Sequence, residues 1–189
     1  MKIIEVTDKQ TRYNFHKVAK LLYKNDKNWT CPLDAEIDGI FDPENNSCFK
    51  NGEAIRWYLV NDKDELIGRI SAFYDKTKIN VNNDQPTGGI GFYECINDKT
   101  ASALLFDTAK DWLKSKGIEA MDGPITFGQN ITYWGLLIEG FMHQGYGMQY
   151  HFPYYKELFE EYGFQEYFQQ YRFIIDFFVS FSFSYRSKR

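Results

Sequence analysis

The stretch Gly88–Gly117, GGIGFYECINDKTASALLFDTAKDWLKSKG, decides the fold of this chain. Its first part, from Gly89 to Ile96, is apolar and aromatic, which is typical of a buried strand. The part that follows carries apolar residues at i, i+3 and i+4, a spacing that predicts an amphipathic helix ended by Gly117. A strand that runs directly into a helix points backbone N–H groups at one place, so the turn between them is a natural anion site.

The composition is that of a globular domain with an acidic balance. The chain has 189 residues, 43% of them hydrophobic, which is enough for one complete core. A net charge of −4, with no basic cluster beyond Arg186–Arg189, argues against nucleic-acid binding. Three separated cysteines predict no disulfide framework and favour a cytoplasmic setting. No apolar run is long enough to predict a membrane span.

The residues before the opening stretch predict strands and helices in alternation. Thr7 or Asp8 has the chemistry of a helix cap, and one short helix is expected around Ile37. A four-residue turn between two β-rich runs predicts an antiparallel hairpin. The predicted ranges are Lys2–Val6 (strand), Thr11–Lys24 (helix), Ala54–Val60 (strand) and Leu66–Tyr74 (strand).

The residues after the opening stretch predict a strand, a loop, a helix and a last strand. Ile118–Met121 is expected to pair in parallel with the strand before the helix, as in a crossover unit. The Gly- and aromatic-rich segment 126–151 predicts a loop with one helical turn over Ile131–Leu137. A helix over Pro153–Gly163 and a strand over Phe164–Ile175 follow. Residues 177–189 either continue this strand or form a truncated or non-native end.

This order of elements resembles the GNAT-type acyl-CoA N-acyltransferase fold. PYYKELFEEYGF is similar to the helix with Gly-Phe near the end of those enzymes, and GFYECIND with the following helix is similar to their central strand and cofactor-facing helix. A bacterial GNAT-like subfamily shares further motifs with the chain. These are NWTCPL (Asn28–Leu33), FYECI (Phe92–Ile96), GLLIEGF (Gly135–Phe141) and PYY (Pro153–Tyr155).

The resemblance implies an α/β (α+β) chain with a single GNAT-like domain over residues 1–176. Its mixed central sheet would be flanked by helices, with residues 177–189 as a C-terminal extension. The implied reaction moves an acetyl or other acyl group from acyl-CoA to a primary amine of a small molecule or peptide. The resemblance implies no metal, nucleic acid or membrane, and is compatible with a homodimer.

The resemblance places the cofactor along the central strand and the turn after it. In the family the pantetheine arm lies beside this strand, and the turn reads Arg/Gln-x-x-Gly-x-Gly/Ala. Here the turn Ile96–Ala101 reads INDKTA, without the arginine and the glycines, and Asp98 adds a negative charge. Asn97 or Asp98 is also a natural cap for the helix, and Lys99 could offset the charge. The implied cofactor-binding residues are Tyr93, Cys95, Ile96, Asn97, Lys99, Thr100 and Ala101.

Two residues are candidates for catalysis. Glu94, in the central strand, is expected to be desolvated, which would raise its pKa toward that of a general base for an amine. The alternative is a structural ion pair of Glu94 with Arg69 or Arg56. The family tyrosine that protonates the leaving thiolate corresponds to Phe159, so Tyr154 is the candidate substitute.

The acceptor is expected in the loop after the parallel strand. Gln129, Asn130, Tyr133 and Trp134 are the candidate substrate-binding residues, and a packed cover over the sheet is the alternative role of this loop. Two other functions stay open. One is a catalytically degenerate GNAT-fold binding module. The other is an aminoacyl-transfer enzyme of the peptidoglycan-ligase type, which would need a basic tRNA-binding surface that the acidic balance disfavours.

Overall fold

The computed structural model describes residues 1–128 and 132–173. In this part of the chain the predicted strands and longer helices up to Tyr162 are confirmed, with shifts of one to three residues at most element ends. A short 3₁₀ helix, Ser47–Lys50, precedes the second strand. The elements are β1 (Lys2–Glu5), α1 (Lys9–Leu22), α2 (Asp34–Ile40), β2 (Gly52–Val60), β3 (Leu66–Asp75), β4 (Thr87–Cys95), α3 (Lys99–Ser115), β5 (Ala120–Asp122) and α4 (Tyr155–Tyr162).

Among the described residues, five strands form one mixed sheet in the order β1-β2-β3-β4-β5, so the predicted mixed α/β architecture is confirmed. The first four strands pair antiparallel, and β4 pairs parallel with β5 through Thr87↔Ala120 and Gly89↔Asp122. The predicted hairpin is the β2–β3 pair. Because β5 has only three residues, β4 extends well beyond the end of its parallel partner.

The helices cover both faces of the sheet. Trp57 and Leu59 of β2 belong to the same core cluster as the apolar stripe of α3, whereas Tyr58 and Val60 pack with Val18 of α1. This alternation is the two-residue period of a strand buried on both faces. Each buried aliphatic or aromatic side chain in such a core contributes about 1.5–3 kcal/mol to folding.

A β-bulge in β4 determines which residues face each side. Between the pairs Arg69↔Glu94 and Ser71↔Gly91, β3 has one residue and β4 has two. Phe92, one of those two, adopts the left-handed conformation with φ 48°. The extra residue shifts the alternation by one position, so Tyr93 joins Ile90 in the core beside α3 while the Glu94 side chain faces α1.

The predicted last strand, Phe164–Ile175, is wrong over its described part. Residues 164–173 form no strand, and Ile174–Ile175 lie outside the described residues. The aromatic side chains at 164, 167, 168 and 171 follow a spacing of three, four and seven rather than two, so they do not line one face of a strand. Tyr167 and Tyr171 are exposed, and over residues 1–128 and 132–173 β5 is the last strand of the sheet.

The predicted helical turn over Ile131–Leu137 is also wrong in its described part, residues 132–137. Tyr133 and Gly135 have φ angles of 52° and 83°, which an α-helix cannot contain. The Tyr133 N–H donates to the Gly147 carbonyl at 2.7 Å, so this backbone pairs with the loop itself. Residues 132–137 are therefore irregular, and Tyr133 packs against Phe92 of β4.

A substitution at Gly91 tests how closely the loop residue Ile125 approaches the bulge in β4. A Cβ added to Gly91 would lie 2.1 Å from the Ile125 carbonyl oxygen, whereas a Cβ on Gly39 of α2 meets nothing within 4 Å. We expect Gly91→Ala to lower the free energy of unfolding by about 1–3 kcal/mol because backbone must move. Gly39→Ala is the matched control and should raise it by up to about 1 kcal/mol. Urea denaturation measures both, and a Gly91→Ala protein as stable as wild type would contradict this packing.

Candidate functional site

The carboxylate of Glu94 is the centre of the candidate site. Glu94 is 7% exposed. Its Oε2 accepts hydrogen bonds from the Tyr23 hydroxyl at 2.7 Å and from the Tyr155 hydroxyl at 2.8 Å. Its Oε1 lies 3.5 Å from an Nη of Arg69, at the long limit of a hydrogen bond. Oε1 therefore makes fewer and longer hydrogen bonds than Oε2, so it is the oxygen that can accept a proton from a ligand.

Burial raises the pKa of Glu94, and the nearby Arg69 charge together with the two tyrosine hydroxyls opposes that rise. The direction agrees with the expectation from its strand position. The expected alternative, an ion pair with Arg69, is also observed. Arg56 does not take part because its guanidinium binds Asp38 at 2.9 Å. Glu94 is thus paired with Arg69, has a raised pKa and lies against a cleft.

The cleft beside Glu94 has aromatic walls and a few polar groups. Its interior volume is about 20 Å³, room for about one water molecule, and it opens to solvent. Its aromatic lining is Trp29, Phe92, Tyr133 and Tyr150. Its polar lining is Arg69, Glu94, Gln144 and Gln149. The Glu94 carboxylate at this aromatic wall, paired with Arg69, can accept a hydrogen bond from an amine nitrogen.

Two tyrosines of α4 occupy the edge of β4 beyond the end of β5. The Cys95 N–H donates to the Tyr155 hydroxyl oxygen at 2.9 Å, and the Tyr154 hydroxyl donates to the Cys95 carbonyl at 2.8 Å. Tyr155 is thus a core residue, as predicted, and also the link between Cys95 and Glu94. Tyr154, the candidate acid, is half-buried with its hydroxyl on the strand backbone, and burial raises its pKa.

The predicted cofactor-binding residues divide into a buried and an exposed group. Tyr93 packs on Phe106 at 4.7 Å and exchanges a hydrogen bond with Ser102. Burial raises the pKa of the Cys95 thiol to about 12, so the thiol stays protonated. The buried members are Tyr93, Cys95 and Ala101, Ile96 is half-buried, and Asn97, Lys99 and Thr100 are exposed.

The turn after β4 is organised as a helix cap. Asp98 is the N-cap of α3, and its carboxylate accepts from the Ala101 N–H at 2.7 Å. Of the two capping candidates, Asn97 and Asp98, the structure assigns the role to Asp98. The Lys99 ammonium contacts Glu161 at 2.5 Å and Glu157 at 3.2 Å, so it is held by α4. The turn therefore presents a carboxylate where the helix N-terminus would attract an anion.

The predicted substrate-binding residues have different outcomes. Tyr133 lines the Glu94 cleft, and its ring lies 5.9 Å from that of Phe92. Trp134 is half-buried and is not part of the cleft lining. Gln129 and Asn130 lie outside the described residues. Tyr133 alone of the four is placed by the structure beside the candidate base.

Sequence reasoning missed that Tyr23, Trp29 and Tyr150 belong to the site. The Tyr23 ring stacks on Trp29 at 5.1 Å, and its hydroxyl reaches Glu94 from the C-terminal end of α1. Trp29 carries the only early signal because it belongs to the quoted motif Asn28–Leu33. Tyr23 and Tyr150 stand among 14 tyrosines, and nothing in their local sequence distinguishes them.

Solved structures share this architecture over nearly the whole chain. An aminoglycoside 6'-N-acetyltransferase from Acinetobacter haemolyticus superposes with a TM-score of 0.53 at 14% identity, covering 93% of this chain and 99% of that one. Glucosamine-6-phosphate N-acetyltransferase from Arabidopsis thaliana gives 0.52 at 14% identity, with 93% and 98% covered. The chain has the GNAT fold. A third GNAT-fold structure, AAC(6')-Iy with a CoA-containing bisubstrate analogue, gives 0.53 at 12% identity, with 93% and 97% covered.

Two curated proteins match the sequence of this GNAT-fold chain. Protein YghO of Escherichia coli K12 is 34% identical over 122 residues, which cover 64% of this chain and 30% of that protein. The bacterial ceramide synthase of Caulobacter vibrioides is 28% identical over 141 residues, or 75% of this chain and 36% of that protein. The chain thus spans about a third of the length of these relatives. No protein-family model matches it.

The residues of the turn do not fit the diphosphate of a CoA molecule. Asp98 already accepts from the Ala101 N–H and would repel a diphosphate, and Lys99 is neutralised by two glutamates. The adjoining edge of β4 is closed at Cys95 by Tyr154 and Tyr155. A CoA molecule that binds here requires both arrangements to change.

Two absences hold for the described residues alone. None of their helices has the length and apolarity that crossing a membrane requires. They also contain no cluster of three or more His, Cys, Asp or Glu side chains with the spacing of a metal site.

Removal of the Tyr155 hydroxyl tests the link between Cys95 and Glu94. Tyr155→Phe leaves the buried Cys95 N–H without an acceptor, so we expect the free energy of unfolding to fall by about 1–3 kcal/mol. Tyr167→Phe is the matched control because Tyr167 is 78% exposed, and should change it by less than about 0.5 kcal/mol. Urea denaturation compares the two, and equal effects would show that the Tyr155 hydroxyl is dispensable.

The charge of Asp98 can be separated from its capping bond. Asp98→Asn keeps a good N-cap, so stability should change by less than about 0.5 kcal/mol. Loss of the negative charge should tighten acetyl-CoA binding about two- to fivefold, the size of a charge effect at a helix N-terminus. Calorimetric titration of both proteins measures the ratio. Equal affinities would show that the Asp98 charge does not oppose the diphosphate.

Proposed function

We propose that this domain takes part in acyl transfer to a primary amine, with Glu94 as the group that accepts the proton of the amine. The observation that carries the proposal is a buried carboxylate, raised in pKa, that lines an aromatic cleft. A general base for an amine needs this combination of access and an elevated pKa.

The similar proteins support the class of reaction. The GNAT-fold structures are named as N-acetyltransferases, and one of them is a complex with a CoA-containing analogue, so acyl-CoA is the donor class we propose. For this donor to bind, the turn at Asp98 and the edge at Cys95 must both rearrange. One sequence relative is named a ceramide synthase. A ceramide is an amide between a fatty acid and a long-chain amino alcohol, so this name also describes acylation of an amine.

The chemistry assigned to this chain is the handling of the acceptor. A primary amine enters as its ammonium ion, since its pKa is about 10, and must lose a proton before its nitrogen can attack a carbonyl. Oε1 of Glu94 receives that proton, directly or through one water. Arg69 and the hydroxyls of Tyr23 and Tyr155 hold the carboxylate in position. The reaction forms a C–N bond and expels the leaving group of the donor. No step is assigned to CoA, since the turn does not fit it.

A binding module without catalysis is the second candidate function. The observation that favours it is the closed edge of β4, where Tyr154 and Tyr155 take both backbone groups of Cys95. In that case the Glu94 cleft binds an amine without acylating it. A protein that binds an amine but forms no amide with acetyl-CoA or palmitoyl-CoA would support this alternative.

Replacement of Glu94 tests the proposed base. Glu94→Gln keeps the shape and an acceptor oxygen for the tyrosine hydroxyls but cannot take a proton. We expect amide formation to fall by about 100-fold or more. Glu119→Gln is the matched control, since Glu119 is exposed and does not line the cleft. Mass spectrometry of the N-acylated amine gives the rates, and an unchanged rate in Glu94→Gln would overturn the assignment.

The pH profile gives an independent test of Glu94. The base acts as its carboxylate, and burial raises its pKa above 4.5, the ordinary value of a glutamate. The wild-type rate should therefore fall as the pH falls through that raised pKa, and a residual Glu94→Gln rate should lack this limb. A wild-type rate that stays constant down to pH 4.5 would contradict the raised pKa of the working base.

A further inference from the structure

The Glu94 cleft has no room in this structure for the amine that is proposed to react there. Its interior of about 20 Å³ holds about one water molecule, and Glu94 is 7% exposed. A primary amine carries at least one carbon atom besides its nitrogen, so it reaches Oε1 of Glu94 only if one wall of the cleft moves.

The cleft has one fixed side and two irregular walls. The sheet supplies the fixed side, because β3 pairs with β2 on one edge and with β4 on the other. Trp29 and Pro32 belong to the first irregular wall, and Gln144 and Gln149 belong to the second. The first wall is anchored in the protein, since the Trp29 ring stacks on Tyr23 at 5.1 Å. The second wall is therefore the one whose attachment decides access to Glu94.

Hydrogen bonds through Gln144 join the second wall to the first. The Thr30 N–H donates to Gln144 Oε1 at 3.0 Å, and the Gln144 N–H donates to the Asn28 carbonyl at 2.8 Å. The side chain of Asn28 donates to the Phe141 carbonyl at 3.1 Å. Because Gln144 itself lines the cleft, these bonds hold the two walls together beside it.

Residues 141–148 bury little apolar surface. Among them Gly147 alone is buried, Met142 is 56% exposed and Tyr146 is 86% exposed. The core clusters of the described chain include none of their side chains. A further contact, from the Tyr146 hydroxyl to Glu36 at 2.9 Å, is an exposed hydrogen bond. A segment held in this way opens locally at a lower free energy than strands that pack in the core.

Two glycines in the left-handed conformation bracket this segment. The φ angle is 71° at Gly140 and 67° at Gly147, and glycine adopts such angles without strain. Positions of this kind can take up the rotation of a hinge. We propose that residues 141–148 are a lid, that Gln144 is its latch, and that its opening admits the substrate to Glu94. The lid rests on the proposed function only in the identity of that substrate, a primary amine.

Hydrogen exchange measured by NMR on the full chain tests the lid without any ligand. The amide of residue 144 bonds to the Asn28 carbonyl in the closed lid, and Gln144→Ala keeps this bond while it removes the one from Thr30. In wild type this amide should exchange faster than the β3 amides. In Gln144→Ala it should exchange about five- to tenfold faster again, the effect of one lost hydrogen bond. Gln165→Ala is the matched control and should match wild type, since Gln165 is exposed and does not line the cleft.

Calorimetric titration with hexylamine connects the opening of the lid to the cleft. Only the open form admits the amine, so hexylamine should bind more tightly to Gln144→Ala by the same factor as the exchange rate rises. Asn28→Ala removes the bond to the Phe141 carbonyl and does not touch the lining of the cleft. It should shift the exchange rate and the affinity in the same direction as Gln144→Ala.

Two results would overturn the lid. One is a wild-type protein in which the amide of residue 144 exchanges at the rate of the β3 amides. The other is faster exchange in Gln144→Ala with an unchanged affinity for hexylamine. Hexylamine that binds to none of the proteins would overturn the proposed amine site and, together with faster exchange in Gln144→Ala, would leave the lid standing.

Discussion

The burial of the Glu94 carboxylate is the constraint on which the rest of the site depends. Removal of a carboxylate from water costs several kcal/mol unless charge and hydrogen bonds compensate for it. Here the compensation comes from Tyr23 at the end of α1, Arg69 on β3 and Tyr155 at the start of α4. Three elements that are far apart in sequence therefore converge on one side chain, and the Glu94 cleft lies where they meet.

The bulge at Phe92 makes this convergence possible. If these residues alternated regularly along β4, Glu94 and Ile90 would share a face, and the carboxylate would enter the apolar core beside α3. Because of the bulge, Glu94 faces α1 and the aromatic cleft, while Tyr93 stays in the core. The short length of β5 also shapes the site. It leaves the edge of β4 open at Cys95, and Tyr154 and Tyr155 fill that edge.

The sequence predicted the parts of this molecule that local patterns determine. Strand and helix periods placed β2, β3, β4 and α3, and short-range capping chemistry left Asn97 or Asp98 as the cap, of which Asp98 takes the role. The high aromatic content of residues 164–173 led to a wrong prediction of a strand, because the spacing of those aromatic residues does not suit one. The bulge and the hydroxyl contacts of Tyr23 and Tyr155 depend on registers between distant elements, so no local pattern could reveal them. Glu94 was found because a carboxylate inside an apolar run is itself a local signal.

Tyr23, Arg69 and Tyr155 hold the Glu94 carboxylate in place beside the cleft. All of this requires a Glu94 whose burial outweighs its favourable contacts at Arg69. The most direct measurement is a ¹³C NMR titration of the Glu94 carboxyl in the ligand-free chain, with Glu94→Gln to assign the signal. We expect a midpoint clearly above 4.5, the ordinary pKa of a glutamate, because burial dominates. A midpoint at or below 4.5 would contradict this and leave a structural ion pair with Arg69.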